Sequence, residues 1–587
     1  MKKFYSVLLA LFAFFFFGCD FLDEFEIIPD TEDTWHWRTS NNSFVVGSDI
    51  SSVTISGELG GKKLYYALVN TSDSIIDSKY VKYPASSSAF DEIIDFRSAA
   101  LSSNSFEDSY EDLELPFFNS DSDTHAAHFA FKPKKPQNFS RSASATDSLS
   151  RPAKSQILSY EVGSTAKTFN IVTGKNSGGN DVYTDGVPGT LRAYNDTCNV
   201  WVIDDYYTDG TETDGKINSS RAEKIAAKFE SLYPLITNVF GYEFNGLLDD
   251  YSETEGFLYS DLDEVCDTGS KINIVIYDLY GDTTSKDVLG FFWSGDYYSA
   301  AFEGAEHSNE GKYFYIDSYA AIDSFDTVIS TLAHEFQHMI HFAQKDLYFE
   351  GEGESDTNFN EMLSMLCEDM MQSYLGLADK DSPKGRLPEF ELYYMNSGIR
   401  SWGAGSASYA NAYAFGSWLC RQYGGAALLQ QMMENNYVNN ECFVKAVNSL
   451  NKTDYDFDDL FAQFVKACLG DSDYTFNKAA SQKLTYSDGN TSYKYPMTAI
   501  NLFGSYGTAG YTKYMSSAGY YDDISPAYTY YGPVILKSGV TLDLPATWGM
   551  TLHYYGQISS GNEKVTLNFK TSSAYTRDGM KVVLYIK

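Results

Sequence analysis

Thr331-Leu332-Ala333-His334-Glu335-Phe336-Gln337-His338-Met339-Ile340-His341-Phe342 is the stretch on which the fold turns. Leu332, Ala333, Phe336, Met339, Ile340 and Phe342 make it apolar nearly all round, the composition of a helix with neighbours on every side. A helix buried that thoroughly keeps His334, Glu335 and His338 only if they are paired or bound to a cation, because bare polar groups there are costly. Two histidines four residues apart lie on one helical face. That spacing suits two ligands of one metal ion, zinc above all, with Glu335 beside them as a proton acceptor.

A catalytic zinc takes three protein ligands and keeps one position open, so a third ligand must come from elsewhere. Asn358-Phe359-Asn360-Glu361-Met362-Leu363-Ser364-Met365-Leu366-Cys367-Glu368-Asp369 reads as a second helix, after a loop long enough to turn the chain back. Glu361, Ser364 and Glu368 share one stripe on it. The Asn360-Glu361-x-x-Ser364 core resembles the second zinc motif of gluzincins, which implies Glu361 as the ligand, with Ser364 and Glu368 supporting the site, Glu368 by accepting the other N–H of a ligand imidazole. Zinc would acidify a water and polarise a carbonyl, while Glu335 would carry the water's proton to a leaving amine. Tyr409 and Tyr413 are the candidate donors to the developing oxyanion; in a chain with 47 tyrosines, packing is an equal reading for both. His341 either assists a ligand or sits partly exposed on the helix surface.

Around these helices the pattern changes in a definite order. Upstream, Asn199–Asp204, Ile272–Tyr277, Leu289–Trp293 and Lys312–Asp317 read as strands, and Ser220–Phe240 has helical spacing. Leu289–Asp296 is either an edge along which an extended substrate binds or a buried hairpin. Downstream, Asn360–Tyr374, Tyr409–Tyr423, Ala426–Asn435 and Asp458–Leu469 read as helices. Short β runs flank this region, between Ser43 and Pro84 and again at Gly532–Leu536, Met550–Tyr555 and Lys564–Phe569. The expected fold is α+β, divided as a signal peptide (1–18), an acidic tether (19–39), a small β module (40–85), a linker (86–155), a catalytic domain (156–485) and a C-terminal β-sandwich-like domain (486–587). Ser, Asp and Asn dominate the linker, which has too little apolar content to order itself; an activation propeptide is the other reading.

With 43 basic and 79 acidic residues the formal charge is −36, which disfavours nucleic acid and anionic membrane surfaces as partners. Met1-Lys2-Lys3 and the apolar run from Val7 to Phe17 have the form of a secretory signal. Phe16-Phe17-Gly18-Cys19 resembles a bacterial lipobox, implying a lipid on Cys19 as the one route to a membrane; ordinary secretion is the alternative. Six further cysteines contain no C-x-x-C pair, and spacing assigns no disulfide. Asp204, Asp205, Asp209 and Asp214 form an acidic loop, read either as a calcium site or as solvated surface carboxylates.

Taken together, Ile276-Tyr277-Asp278, Gly290-Phe291-Phe292, Lys312–Asp317, Ala333–Ile340 and Asn360–Ser364 resemble the hyicolysin-type metallopeptidases of the gluzincin group, over roughly residues 199–469. Met362 and His341 depart from that pattern without touching a ligand. The resemblance implies a zincin-type catalytic domain and a secreted zinc endopeptidase acting on proteins or peptides, with His334, His338 and Glu361 as ligands. The competing function is a surface binding lipoprotein that keeps the zincin scaffold and works through its β modules.

Overall fold

Strands Cys198–Ile203 and Ile272–Tyr277 are buried at every position, which is why each reads as an unbroken apolar run. They are central strands of a six-stranded sheet, ordered Gly290–Phe292, Tyr313–Asp317, Ile272–Tyr277, Cys198–Ile203, Asp181–Tyr194, Ala166–Lys175. The second, third and fourth run parallel, and the outer ones antiparallel. This computed structural model describes residues 31–84, 90–91, 160–503 and 532–587, except 253–255, 262–270, 285–287, 302–303, 350, 352, 404, 487–488, 534, 540–541 and 572–578. The signal, Cys19, Cys266 and nearly all of the 86–155 segment lie outside the described residues.

Helix Ser219–Phe240 opens on Asn218, whose side chain accepts from the Arg221 N–H, and stops at Gly241. Its Phe229 meets Phe314 of the sheet at 5.6 Å and Phe336 of the motif helix at 5.1 Å between ring centroids. The motif helix, Phe325–His341, is buried at every position from Thr327 to His341. On the sheet side it touches the short edge strand, where a Cβ on Gly290 would stand 2.8 Å from Thr331 Cγ2; glycine lets that strand lie against the helix. On the other side lies the helix Thr357–Leu375, started by Asp356 and ended by Gly376 in a left-handed conformation. Helix Ser406–Tyr423 packs behind it, and Gly416 leaves room there for Met362.

The flanking β segments are where the structure departs from the sequence expectation. Two separate modules were expected, but their strands share two sheets. One is ordered Thr34–His36, Ser52–Ser56, Lys564–Thr571, Lys82–Pro84; the other Leu536–Lys537, Gly549–Ile558, Lys63–Asn70, Met580–Ile586, Ser43–Val46. Trp35, Val53, Leu64, Leu68, Leu567 and Leu584 fill the space between them, so the unit is a single sandwich. Local pattern reveals a strand but not its partner, and here the partners come from opposite ends of the sequence. Two boundaries move as well. Thr34–His36 lies in the expected tether yet pairs with Ser52–Ser56, and position 485 falls inside a hairpin, because Ala480–Thr485 pairs with Ser492–Met497.

The sandwich is not an appendage. Tyr65, Ala67, Val69, Met550, Leu552 and Val583 point away from its interior into the same core as the motif helix and its neighbours. Strand Lys63–Asn70 is therefore covered on both faces, matching its unbroken burial beyond the first residue. Trp548 adds ring contacts to Phe457 at 4.6 Å and Phe461 at 5.0 Å. The fold as a whole is α+β, and among the described residues no helix is long and apolar enough to cross a membrane.

Candidate metal centre

His334 and His338 leave the motif helix on one face, four residues apart, and Glu361 meets them from the facing helix. His334 Nε2 stands 3.1 Å from Glu361 Oε2, and His338 Nε2 stands 3.7 Å from Glu361 Oε1. One ligand atom from each residue lies within 4.8 Å of the others, and all three side chains are buried. Among the described residues this is the one such group of His, Cys, Asp or Glu.

The other ring nitrogens are held. His334 Nδ1 lies 2.7 Å from Glu368 Oε1, whose second oxygen accepts from Ser330 Oγ at 2.5 Å. His338 Nδ1 lies 2.9 Å from Asn360 Oδ1 and 2.9 Å from Ser364 Oγ; that hydroxyl donates to Gln337 Oε1 at 2.5 Å. A carboxylate and an amide oxygen only accept, so each Nδ1 carries hydrogen, and in the neutral ring each Nε2 presents a lone pair. Two lone pairs and a buried carboxylate then face one another. A proton on one ring relieves only part of that repulsion, whereas a divalent cation satisfies all three acceptors, so the residues present fit a metal.

The carboxylates favour positive charge at this point. Burial works against charge on His334, but the carboxylates of Glu361 and Glu368 outweigh it and raise the ring well above its ordinary range. Burial pushes Glu335 up to about 8; His334 pulls it down, Glu361 and Glu368 push it further up, and a hydrogen bond with the Phe292 backbone opposes them. Its Oε2 is buried and has no hydrogen-bond partner among the described residues. A bound dication would draw Glu335 back toward the ionised form. Phe292 ends the edge strand, so that strand, the acid and the metal ligands are one assembly.

The stripe of Glu361, Ser364 and Glu368 is assembled as its spacing implies. Tyr413 lies beside a buried ion pair in which the Asp369 carboxylate takes both terminal nitrogens of Arg421 at 2.8 and 3.1 Å. Tyr409 has its ring packed edge-on to Trp402 at 4.6 Å and beneath the Arg386 guanidinium at 4.5 Å. His341 is buried, not partly exposed, with Nε2 at 2.7 Å from Ser355 Oγ, because the helix is covered on that side too. The acidic loop does not close into a cation site among the described residues. There Asp204 takes Thr190 Oγ1 at 2.7 Å and lies 3.7 Å from Arg192, while Asp209 takes the Tyr207 hydroxyl at 2.9 Å. Cys198, Cys367, Cys420, Cys442 and Cys468 are buried free thiols. Sequence reasoning missed Asn360, though it adjoins Glu361.

A family model described as Peptidase M30 matches residues 193–501, more than half of the chain. The chain belongs to the peptidase M30 family. Its M30 region spans the sheet's central strands, the helices that carry His334, His338 and Glu361 and the helical region after them, and leaves the sandwich outside the match. Neutral metalloprotease ShpI of Staphylococcus hyicus is 31% identical over 181 residues, 29% of this chain and 33% of that relative. The M30 chain thus spans about a third of the length of the curated relative it matches.

Proposed function

We propose that this chain is an exported zinc-dependent endopeptidase that hydrolyses peptide bonds in proteins or peptides. The observation that carries the reading is the convergence of His334, His338 and Glu361, with Glu335 beside them and both imidazoles held from behind. When bound, the zinc supplies Lewis acidity toward a carbonyl oxygen and lowers the pKa of water. Glu335 accepts the water's proton and hands it to the leaving amine, a task suited to a buried carboxyl poised near neutrality. Glu368, Asn360 and Ser364 fix which ring nitrogen of each histidine faces the centre.

Strand Gly290–Phe292 supports the endopeptidase reading. It is the outer, antiparallel member of its sheet, and its last residue contacts Glu335. An extended peptide added along that edge runs past the acid that must protonate its amine. Family membership and the relative's name support metallopeptidase chemistry. The leader-like start and Cys19 support export, with an acyl anchor at the cell envelope.

The decisive experiment replaces Glu335 by Gln. The variant should retain about one zinc per chain and lose at least 100-fold of casein or peptide-library cleavage, in the range expected for removing a general base. Wild-type-like cleavage by the loaded variant would overturn the assignment.

A further inference from the structure

Phe292 and Trp293 leave the edge strand on opposite faces. The strand lies along the motif helix, with Gly290 against Thr331 and the Phe292 ring 6.1 Å from that of Phe342, one turn beyond His338. Trp293 is the next residue and still extended, so its indole joins the face on which Phe291 stacks on Tyr315 at 4.5 Å. That face carries a shelf of rings. Tyr183 lies 5.9 Å from Trp293, and the His307 imidazole stacks on Tyr183 at 4.2 Å with the two planes 5° apart. Tyr183 belongs to the hairpin Ala166–Tyr194, which comes last in the sheet's order but curls back to reach the edge strand.

The rings are held in place. A Cβ on Gly295 would stand 2.3 Å from two indole atoms, so glycine lets Trp293 lie against the turn Ser294–Tyr297. Asn309 accepts from the Asn170 N–H and donates to the Asn170 carbonyl, both at 2.9 Å, and its own N–H goes to buried Asp296 at 2.7 Å. The hairpin is thereby tied to the loop that bears His307. Yet the shelf is open and its rim is acidic. The side chains of His307 and Asp185 are 38% and 59% exposed, and their contact, Nδ1 to Oδ1 at 2.7 Å, uses one of the two carboxylate oxygens. A core does not require half-exposed rings fixed so firmly; a ligand with a flat face does. An aromatic side chain would use the rings alone. A guanidinium is planar, stacks on rings and pairs with a carboxylate, so it uses both, and the formal charge of −36 favours a cation.

We propose that Tyr183, Trp293, His307 and Asp185 form a specificity site for an arginine side chain of the substrate, its guanidinium lying on the rings and paired with Asp185. This rests on the zinc-peptidase reading above, with the edge strand as the track of the peptide. Neighbouring residues on paired strands turn their side chains to the same face, so a substrate residue beside Trp293 places its side chain on the shelf. Phe292 contacts Glu335, and one residue of strand is about 3.3 Å, so that substrate residue is close to the bond being cut.

The test measures kcat/KM of the zinc-loaded full chain on fluorogenic peptides in which one arginine is moved through the positions around the cut. Each has a twin with citrulline in its place, which keeps the shape and removes the charge, and another with phenylalanine. At one position the arginine peptide should be cut about tenfold faster or more than its citrulline twin, the scale of a charge-assisted hydrogen bond, and faster than the phenylalanine peptide. Asp185→Asn should abolish the preference for arginine over citrulline while zinc content and the citrulline rate stay as in wild type. Trp293→Leu should slow the arginine peptide mainly through KM. The arginine-to-citrulline ratio is taken within one preparation, so loss of folded enzyme in a variant does not move it. Equal rates for arginine and citrulline at every position in the wild type would overturn the proposal. So would a phenylalanine peptide cut faster than arginine throughout, or an Asp185→Asn variant that keeps the preference. Failure of the zinc-peptidase reading shows differently, as a wild type that cleaves nothing or a Glu335→Gln variant that cleaves normally.

Discussion

Glu368 does its work one bond away from the metal position, by accepting from His334 Nδ1. Its replacement by Gln keeps shape and removes charge. Metal affinity should fall 10- to 100-fold, the usual effect of losing such a partner, and competition with a chelator measures it. Unchanged affinity would mean that the carboxylate does not tune the ligand. Residues such as this were legible because helical periodicity fixes direction: once Glu361 is placed, Ser364 and Glu368 must share its face. Ser355, whose hydroxyl lies 2.7 Å from His341 Nε2, was not legible for the opposite reason. It comes from a loop, where spacing does not determine which way a side chain points. Tyr409 and Tyr413 show the limit within a helix. Periodicity puts them on one side but does not reveal that Tyr409 packs against Trp402 while Tyr413 lies beside the Asp369–Arg421 pair.

A ligand is only as well placed as the element that carries it. The Thr357–Leu375 helix is aimed at its start, where Asp356 accepts from the Phe359 N–H at 2.7 Å and takes a bidentate contact from Arg400 at 2.9 and 3.1 Å. Arg400 also hydrogen-bonds Asn358, whose side chain donates to the carbonyls of Ile399 and Ser401 at 3.1 Å each. Replacing Asp356 by Ala removes a cap worth about 1 kcal/mol and leaves Arg400 without its carboxylate. Both melting temperature and zinc affinity should drop; a drop in melting temperature alone would show that Glu361 is held from elsewhere.

The loop after the edge strand gives a pH signature. Asp296 is buried, accepting from the Asn309 N–H at 2.7 Å and the Tyr315 hydroxyl at 2.6 Å, and burial pushes it up to about 7. The folded value exceeds the unfolded one, so the native state binds this proton more tightly. Its contribution is full below about pH 4 and is lost as pH rises through about 7. Relative to Asp296→Asn, the wild type should lose up to ~4 kcal/mol across that window, read from denaturant melts at several pH values. Parallel profiles would contradict the burial argument. Most elements around the site could be read from sequence, since buried strands and the motif helix have unmistakable apolar runs. Helix Asn439–Asn451 was missed because Asn dilutes its apolar face, and the hairpin Ala166–Tyr194 because register shifts break its alternation.

At the scale of the molecule, the sandwich and the catalytic region share a sheet whose two faces serve two cores. They should unfold together, so tryptophan fluorescence and far-ultraviolet circular dichroism should report coincident denaturant transitions. Replacing Trp548 by Ala should lower the common midpoint, by about 2 kcal/mol of stability for a half-buried aromatic. Two separated transitions in the wild type would show that the shared sheet does not couple them. None of this was readable from local pattern, because pairing between distant strands leaves no periodic trace.

Strand Lys63–Asn70 lies between Gly549–Ile558 and Met580–Ile586, and Trp37 donates to the Ile586 carbonyl 549 positions further along. During synthesis the early strand emerges long before either neighbour exists. Throughout that interval it offers two bare edges rich in tyrosine and leucine, a template on which another nascent copy could add. A chain of this design needs escort from the ribosome onward, and a premature stop near its far end would leave the earliest strands permanently unmatched.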